Sequence, residues 1–173
     1  MGHPADPLDE ANRIGGWYEL ALQVEGGDAS PFAAVMDELA RLAGVEQVAG
    51  GEVLRLPEGP RVVCVLGGFG ADDGSVWVVL GLPLGSLTRV DPRVGGYPFS
   101  DDDGQEWRRP LDAWLASLAV RLFDVAPFSL ALIGFDVSME MTADELADGL
   151  PAEHDHVGII TVPDRPTYFP ATG

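Results

Sequence analysis

The chain has 173 residues, enough for one domain, since single domains commonly run ~100–200 residues. Its ten basic residues against 28 acidic ones leave a net charge of −18, and all ten basic residues are arginines. A surface of that sign excludes nucleic-acid binding through a basic face and disfavours anionic membranes.

The hydrophobic fraction of 46% lies in the globular range, so a core is expected without disulfides. A single cysteine, Cys64, rules out an internal disulfide, and its apolar run "RVVCVL" predicts a buried, inert thiol. Residues 1–15 are polar with two prolines and predict a loose N-terminal tail. They lack the basic and apolar regions of a signal peptide, and Asp6 breaks a myristoylation pattern. No apolar run reaches the ~18 residues of a membrane span, so the cytoplasm is the expected compartment.

"WYELALQV", residues 17–24, alternates. Tyr18, Leu20, Leu22 and Val24 share a buried face, and Trp17, Glu19, Ala21 and Gln23 share a wetter one. Ser30-Pro31 opens a helix whose apolar residues, Phe32, Val35, Met36, Leu39, Leu42 and Ala43, recur at helical spacing. Gly44 suits the left-handed position that ends it.

"EVLRL" at 52–56 predicts a short strand. "RVVCVLGGFG" and "SVWVVLGLPL", joined by Ala71-Asp72-Asp73-Gly74, predict a hairpin in the middle of the sheet. Residues 85–109 are rich in Gly, Pro, Asp and Ser and predict a long loop with one short strand near 87–90.

Pro110 opens a second helix with the stripe Leu111, Trp114, Leu115, Leu118 and Leu122; Asp112 and Arg121 complement its dipole. Pro127 ends it. "FSLALIGFDVS", residues 128–138, reads as a strand. Thr142-Ala143-Asp144-Glu145 reads as a capping box for a short helix ending at Gly149. "HVGIITV", 156–162, is the last predicted strand, and residues 164–173 form a proline-rich tail in which Tyr168 and Phe169 are placed to dock on the body.

The expected fold is α+β: residues 16–163 form a mixed, mainly antiparallel sheet with two longer helices packed mostly on one face, a two-layer sandwich.

The chemically loudest stretch is "FSDDDGQEWRRPL", residues 99–111. An EF-hand calcium loop fails on it: with Gly104 at position 6, Phe99 falls at position 1 and Pro110 at position 12, and neither offers a side-chain oxygen. Asp101, Asp102 and Asp103 instead read as solvated acids ahead of a helix N-terminus, with Arg108 and Arg109 offsetting their repulsion. Trp107 is either tucked beneath the loop or exposed as a binding anchor.

His154 and His156 share one face of an extended chain but lack a third ligand nearby, so no metal is expected. "LGGFG", 66–70, has no P-loop lysine and reads as a bulge or strand bend. Neither G-x-S-x-G nor H-E-x-x-H occurs, so no catalytic residue and no cofactor is assigned.

The acidity has three accounts: solubility, salt adaptation, or a field that draws in a basic partner. The leading functional expectation is an acidic binding domain of the bacterial immunity or inhibitor type. It would dock a basic protein through Asp72, Asp73, Asp101, Asp102, Asp103 and Trp107. The alternative is a small enzyme or small-molecule-binding domain with a pocket between sheet and helices, lined by Tyr97, Trp107 and His156.

Overall fold

A computed structural model describes residues 6–24, 29–57, 59–72, 74–94, 105–154 and 156–172. It is an α+β fold with an eight-stranded antiparallel sheet and three α-helices.

The chain runs β1 (Trp17–Val24), α1 (Ala29–Ala43), β2 (Glu46–Val48), β3 (Gly51–Arg55), β4 (Arg61–Gly70), β5 (Val76–Pro83), α2 (Leu84–Val90), α3 (Arg108–Phe123), β6 (Leu130–Phe135), β7 (Val157–Thr161) and β8 (Thr167–Phe169). The strand order is β2-β3-β4-β5-β1-β6-β7-β8. Every described strand pair is antiparallel, so the expected parallel admixture is absent from the described residues. The hairpin β4–β5 sits beside β1 as its apolar runs predict, because a strand covered on both faces needs apolar residues on both.

The alternation of β1 sorts the core. Tyr18, Leu20, Leu22 and Val24 join Val35 and Leu39 of α1, Leu84 and Leu87 of α2, and Leu115, Leu118 and Leu122 of α3 in one large cluster. The helix stripes read from the sequence are therefore core. On the opposite face Ala21 joins Trp77, Leu130, Leu132, Val157 and Ile159, and Met141, Ala143, Leu146 and Leu150 pack onto that smaller cluster. Residues 137–150 thus cover this face over β6 and β7.

Several elements differ from expectation. The short strand expected at 87–90 is instead the last turn of α2, in which Leu84 and Leu87, one turn apart, both reach the core. The β-branched Thr88 and Val90 bias a local reading toward strand, and burial of that turn overrides it. Pro110 falls at the third position of α3 rather than the first, still within the turn whose N–H groups need no helical partner. The capping box forms, with Thr142 N–H donating to Glu145 Oε2 at 2.8 Å, yet residues 143–148 make successive turns and no α-helix. Gly44 does end α1, with φ +66 and Val45 N–H donating to Ala40 O at 2.9 Å.

Residues 6–15, the described part of the expected loose tail, lie against α2 and the β2–β3 turn. Asn12 is buried, Gly85 N–H donates to Ile14 O at 2.9 Å, and Arg13 Nη2 donates to Gly50 O at 2.6 Å. At the other end, Tyr168 pairs with Ile160 and packs on the large core. Among the described residues no helix is long and apolar enough to cross a membrane.

Candidate functional site

Adjacent residues of β1 point to opposite faces, so Tyr18 and Glu19 anchor two different polar clusters.

Tyr18 faces the helices. Its hydroxyl donates to Asp112 Oδ1, and Arg108 Nε donates to Tyr18 Oη at 3.0 Å and to Asp112 Oδ2 at 3.2 Å. Arg108 Nη2 donates to the His156 carbonyl at 2.6 Å, tying the start of α3 to the start of β7. Arg108 is 4% exposed and Asp112 6%. The i,i+4 spacing on α3 brings the two side chains to one side of the helix, and burial makes the pair consequential. Burial first, then the neighbouring Asp112 carboxylate, pushes the Tyr18 phenol well above its ordinary value. Burial also raises the Asp112 carboxyl, against the hydrogen bonds from Tyr18 and the charge of Arg108. Both charged side chains are buried and their hydrogen bonds tie β1, α3 and the start of β7 together, so this cluster works as an internal clamp.

Glu19 faces the other way. It lies opposite Gly81 on β5 and Gly134 on β6, so neither neighbouring strand supplies a side chain beside its carboxylate. Ser138 donates both its N–H, at 3.1 Å, and its hydroxyl to Glu19 Oε2. Ser138 sits in a turn where Asp136 and Met139 adopt φ values of +47 and +65, a region non-glycine residues rarely occupy. That turn is pinned to β1 by Trp17 N–H donating to Asp136 Oδ1 at 3.1 Å and by Asp136 N–H donating to Trp17 O at 2.8 Å.

Glu19 is only 8% exposed, and no arginine pairs with it among the described residues. Burial raises its carboxyl, Ser138 draws it partly back, and the Asp136 carboxylate raises it again.

Around Glu19 the described residues leave the sheet uncovered. Trp17, Val65, Gly67, Phe69, Val79, Gly81 and Ser138 join it in lining a hollow of about 230 Å³. Val65 is 43% exposed, Phe69 38%, and Met139 beside Ser138 51%. Glycine shapes this floor: a Cβ on Gly81 would stand 3.1 Å from the Trp17 ring, so the indole lies over a position that carries no side chain.

The residues singled out from sequence are dispersed. Asp72 is exposed at the β4–β5 turn. Asp73, Asp101, Asp102, Asp103 and Tyr97 lie outside the described residues. Trp107 is buried, its ring edge-on to Tyr18 with centroids 5.5 Å apart. Asp72 and Trp107 sit toward opposite ends of β1, about 20 Å apart by strand rise, so the structure does not bring them together. His156 contributes its carbonyl to the clamp. Cys64 is buried, and burial pushes its thiol up to about 12, as expected of an inert cysteine.

Hollows also lie elsewhere on the molecule. One of about 260 Å³ lies between α2, the start of α3 and Leu56-Pro57, with Trp107 in its wall. An open groove of about 980 Å³ runs between Phe123–Leu130, Ala143–Leu150 and Thr161–Pro163. No group of three or more His, Cys, Asp or Glu is placed to hold a metal among the described residues.

The chain matches no protein-family model, and comparison with curated proteins and with solved structures gives no match.

Glu19 and Asp112 carry a pH signature. A carboxyl whose pKa is higher folded than unfolded holds its proton more tightly in the folded state. Its contribution therefore favours folding most below the unfolded carboxylate value and declines as pH rises through the folded value. The melting temperature should fall as pH rises from the carboxylate range toward neutral, and Glu19→Gln, which cannot titrate, should flatten that slope. Melts across a pH series check this; an unchanged slope in the variant contradicts it.

Proposed function

We propose that this chain is an acidic cytoplasmic binding domain, of the immunity or inhibitor type, that docks a basic protein on the open face of its sheet. In this reading the helices form one layer and the sheet the other, a two-layer sandwich with the two longer helices mostly on one face. The opposite face stays bare over β4, β5 and the start of β1.

One observation carries the proposal: among the described residues an uncovered apolar sheet face, Trp17, Val65 and Phe69, surrounds a nearly buried carboxylate without a counter-cation. Exposed apolar patches rimmed by polar groups mark interaction sites. The chain's charge gives the sign of the partner. With ten arginines against 28 acids, most of the carboxylates have no arginine to pair with. Such a field steers a basic protein inward, and the aromatic rim then holds it.

The acids at Asp72, Asp73 and Asp101 to Asp103 contribute to the field, while Trp107 contributes to the fold. The absence of catalytic motifs from the sequence weighs toward binding rather than chemistry. A second reading, a small-molecule domain, has the groove beside Phe123 and Leu146 as its place; a metabolite that raises the melting temperature would favour it.

The test is kinetic. A basic protein recovered with the chain from its own cells should associate with an on-rate that falls about tenfold or more from low to physiological salt. An on-rate indifferent to salt rejects electrostatic docking.

A further inference from the structure

We infer that the hollow over Glu19 is a receptor for one arginine side chain of the partner, its guanidinium set against Glu19 and its stem lying along Trp17, Val65 and Phe69. This rests on the reading that the partner is a basic protein and names the group it inserts.

The floor is a carboxylate, and Glu19 is the one ionisable group among the residues that line the hollow. Among the described residues no arginine pairs with it. Burying a carboxylate without an opposite charge is costly, and a cation arriving from outside would remove much of that cost. Ser138 holds Oε2 from one side, which fixes the carboxylate before anything binds.

Gly67 supplies the space: one alternation further along β4 from Val65, it has no atom within 4 Å of where its Cβ would stand, whereas Gly81 lies against the Trp17 ring and Gly134 against the His156 carbonyl. A side chain can therefore lie flat on the sheet there.

The walls suit a guanidinium more than an ammonium. Its planar face stacks on Trp17 while its edge donates to the carboxylate, and it is the more weakly hydrated of the two cations. The charged groups that face Glu19 are few. Asp136, on the turn after β6, adds negative charge; β5 and β6 present Gly81 and Gly134, and the β4 residues that line the hollow are apolar or glycine, while Arg61 at the other end of β4 is paired with Glu46.

The test uses the full chain and three capped tripeptides, Gly-Arg-Gly, Gly-Lys-Gly and Gly-citrulline-Gly, followed through the indole N–H resonance of Trp17. Citrulline keeps the shape of arginine and removes its charge. The arginine peptide should saturate that shift, the citrulline peptide should bind about tenfold weaker or less, and Glu19→Gln should lose about the same factor. Phe69→Leu, on the exposed rim, should weaken binding several-fold without disturbing the fold.

Equal response to arginine and citrulline overturns the assignment, as does unchanged binding by Glu19→Gln. Equal affinity for lysine overturns the choice of guanidinium. The two readings can fail separately. If a basic protein binds wild type and Glu19→Gln alike, the partner reading stands and this pocket falls. If the arginine peptide saturates the hollow while no basic protein associates, the pocket stands and the partner reading falls.

Discussion

Arg108→Ala should destabilise the fold by about 3–5 kcal/mol, because it leaves the Asp112 carboxylate buried without its cation. Three groups lose a donor at once: the Tyr18 hydroxyl, Asp112 Oδ2 and the His156 carbonyl. Two of these lie on elements remote in sequence from α3, so the loss is tertiary and does not stop at the helix. Urea unfolding gives the number. The pair Arg108→Met with Asp112→Leu should recover most of the loss, since an apolar replacement removes both buried charges together. A single-variant loss under about 1 kcal/mol would mean that Asp112 is protonated or hydrated in the native state, and the clamp would not exist as described.

Trp77→Ala should cost a similar amount, about 3–5 kcal/mol, by the size of the cavity it leaves. Trp77 is fully buried on the face opposite the helices, in one cluster with Ala21, Leu130, Leu132 and Ile159, and its indole N–H donates to Ser75 Oγ at 3.0 Å. Met141, Leu146 and Leu150 pack onto that cluster, so its loss should loosen residues 137–150 before the rest of the sheet. Limited proteolysis should then cut first within that segment. Ser138 belongs to it, so the hydrogen bonds to Glu19 should weaken with it. A first cut elsewhere, in α1 for example, would show that the segment does not depend on Trp77.

These variants separate what holds the molecule together from the face on which the proposed docking depends. The clamp lies under the helices and has no open side. The other face has a carboxylate, a serine and aromatic rings, and among the described residues no arginine pairs with that carboxylate. Trp77 connects the two halves of that face. It lies beneath the covered part, and residues 137–150, which cover it, also carry the serine that fixes Glu19.

Much of this was legible in the chain. The alternation of Trp17–Val24 gives β1 its two faces, and the spacing of Val35, Leu39 and Ala43 gives α1 its core side. Those signals are local, and each is repeated several times within one element. β2, at Glu46–Val48, and β8, at Thr167–Phe169, are three residues each, too short for alternation to mark. α2 is seven residues long, and its identity depends on Leu84 and Leu87 finding the core, which is a tertiary fact.

The candidate site was less legible. Glu19 reads as one acid on the wetter side of a strand. Its character comes from the register that sets Gly81 and Gly134 beside it, and from Ser138, which is 119 residues away in sequence. No spacing rule reports such a contact. Arg108 was legible only as a charge near other charges; that it is buried against Tyr18 and the His156 carbonyl is a tertiary fact. The aspartate runs drew the eye because they are dense. Density of charge, however, describes a surface, and a site needs convergence.

The most direct test is the footprint of a cationic chain on the protein. Octa-arginine, with octaglutamate as control, would be titrated while the backbone amides are followed by NMR. The account predicts that shifts concentrate at Trp17 to Glu19, Val65 to Gly70, Gly81 and Ser138, and that octaglutamate moves none of them. Shifts confined to the Asp72 turn, to the hollow beside Trp107 or to the groove beside Phe123 would contradict it, because charge would then be docking where the open sheet face is not.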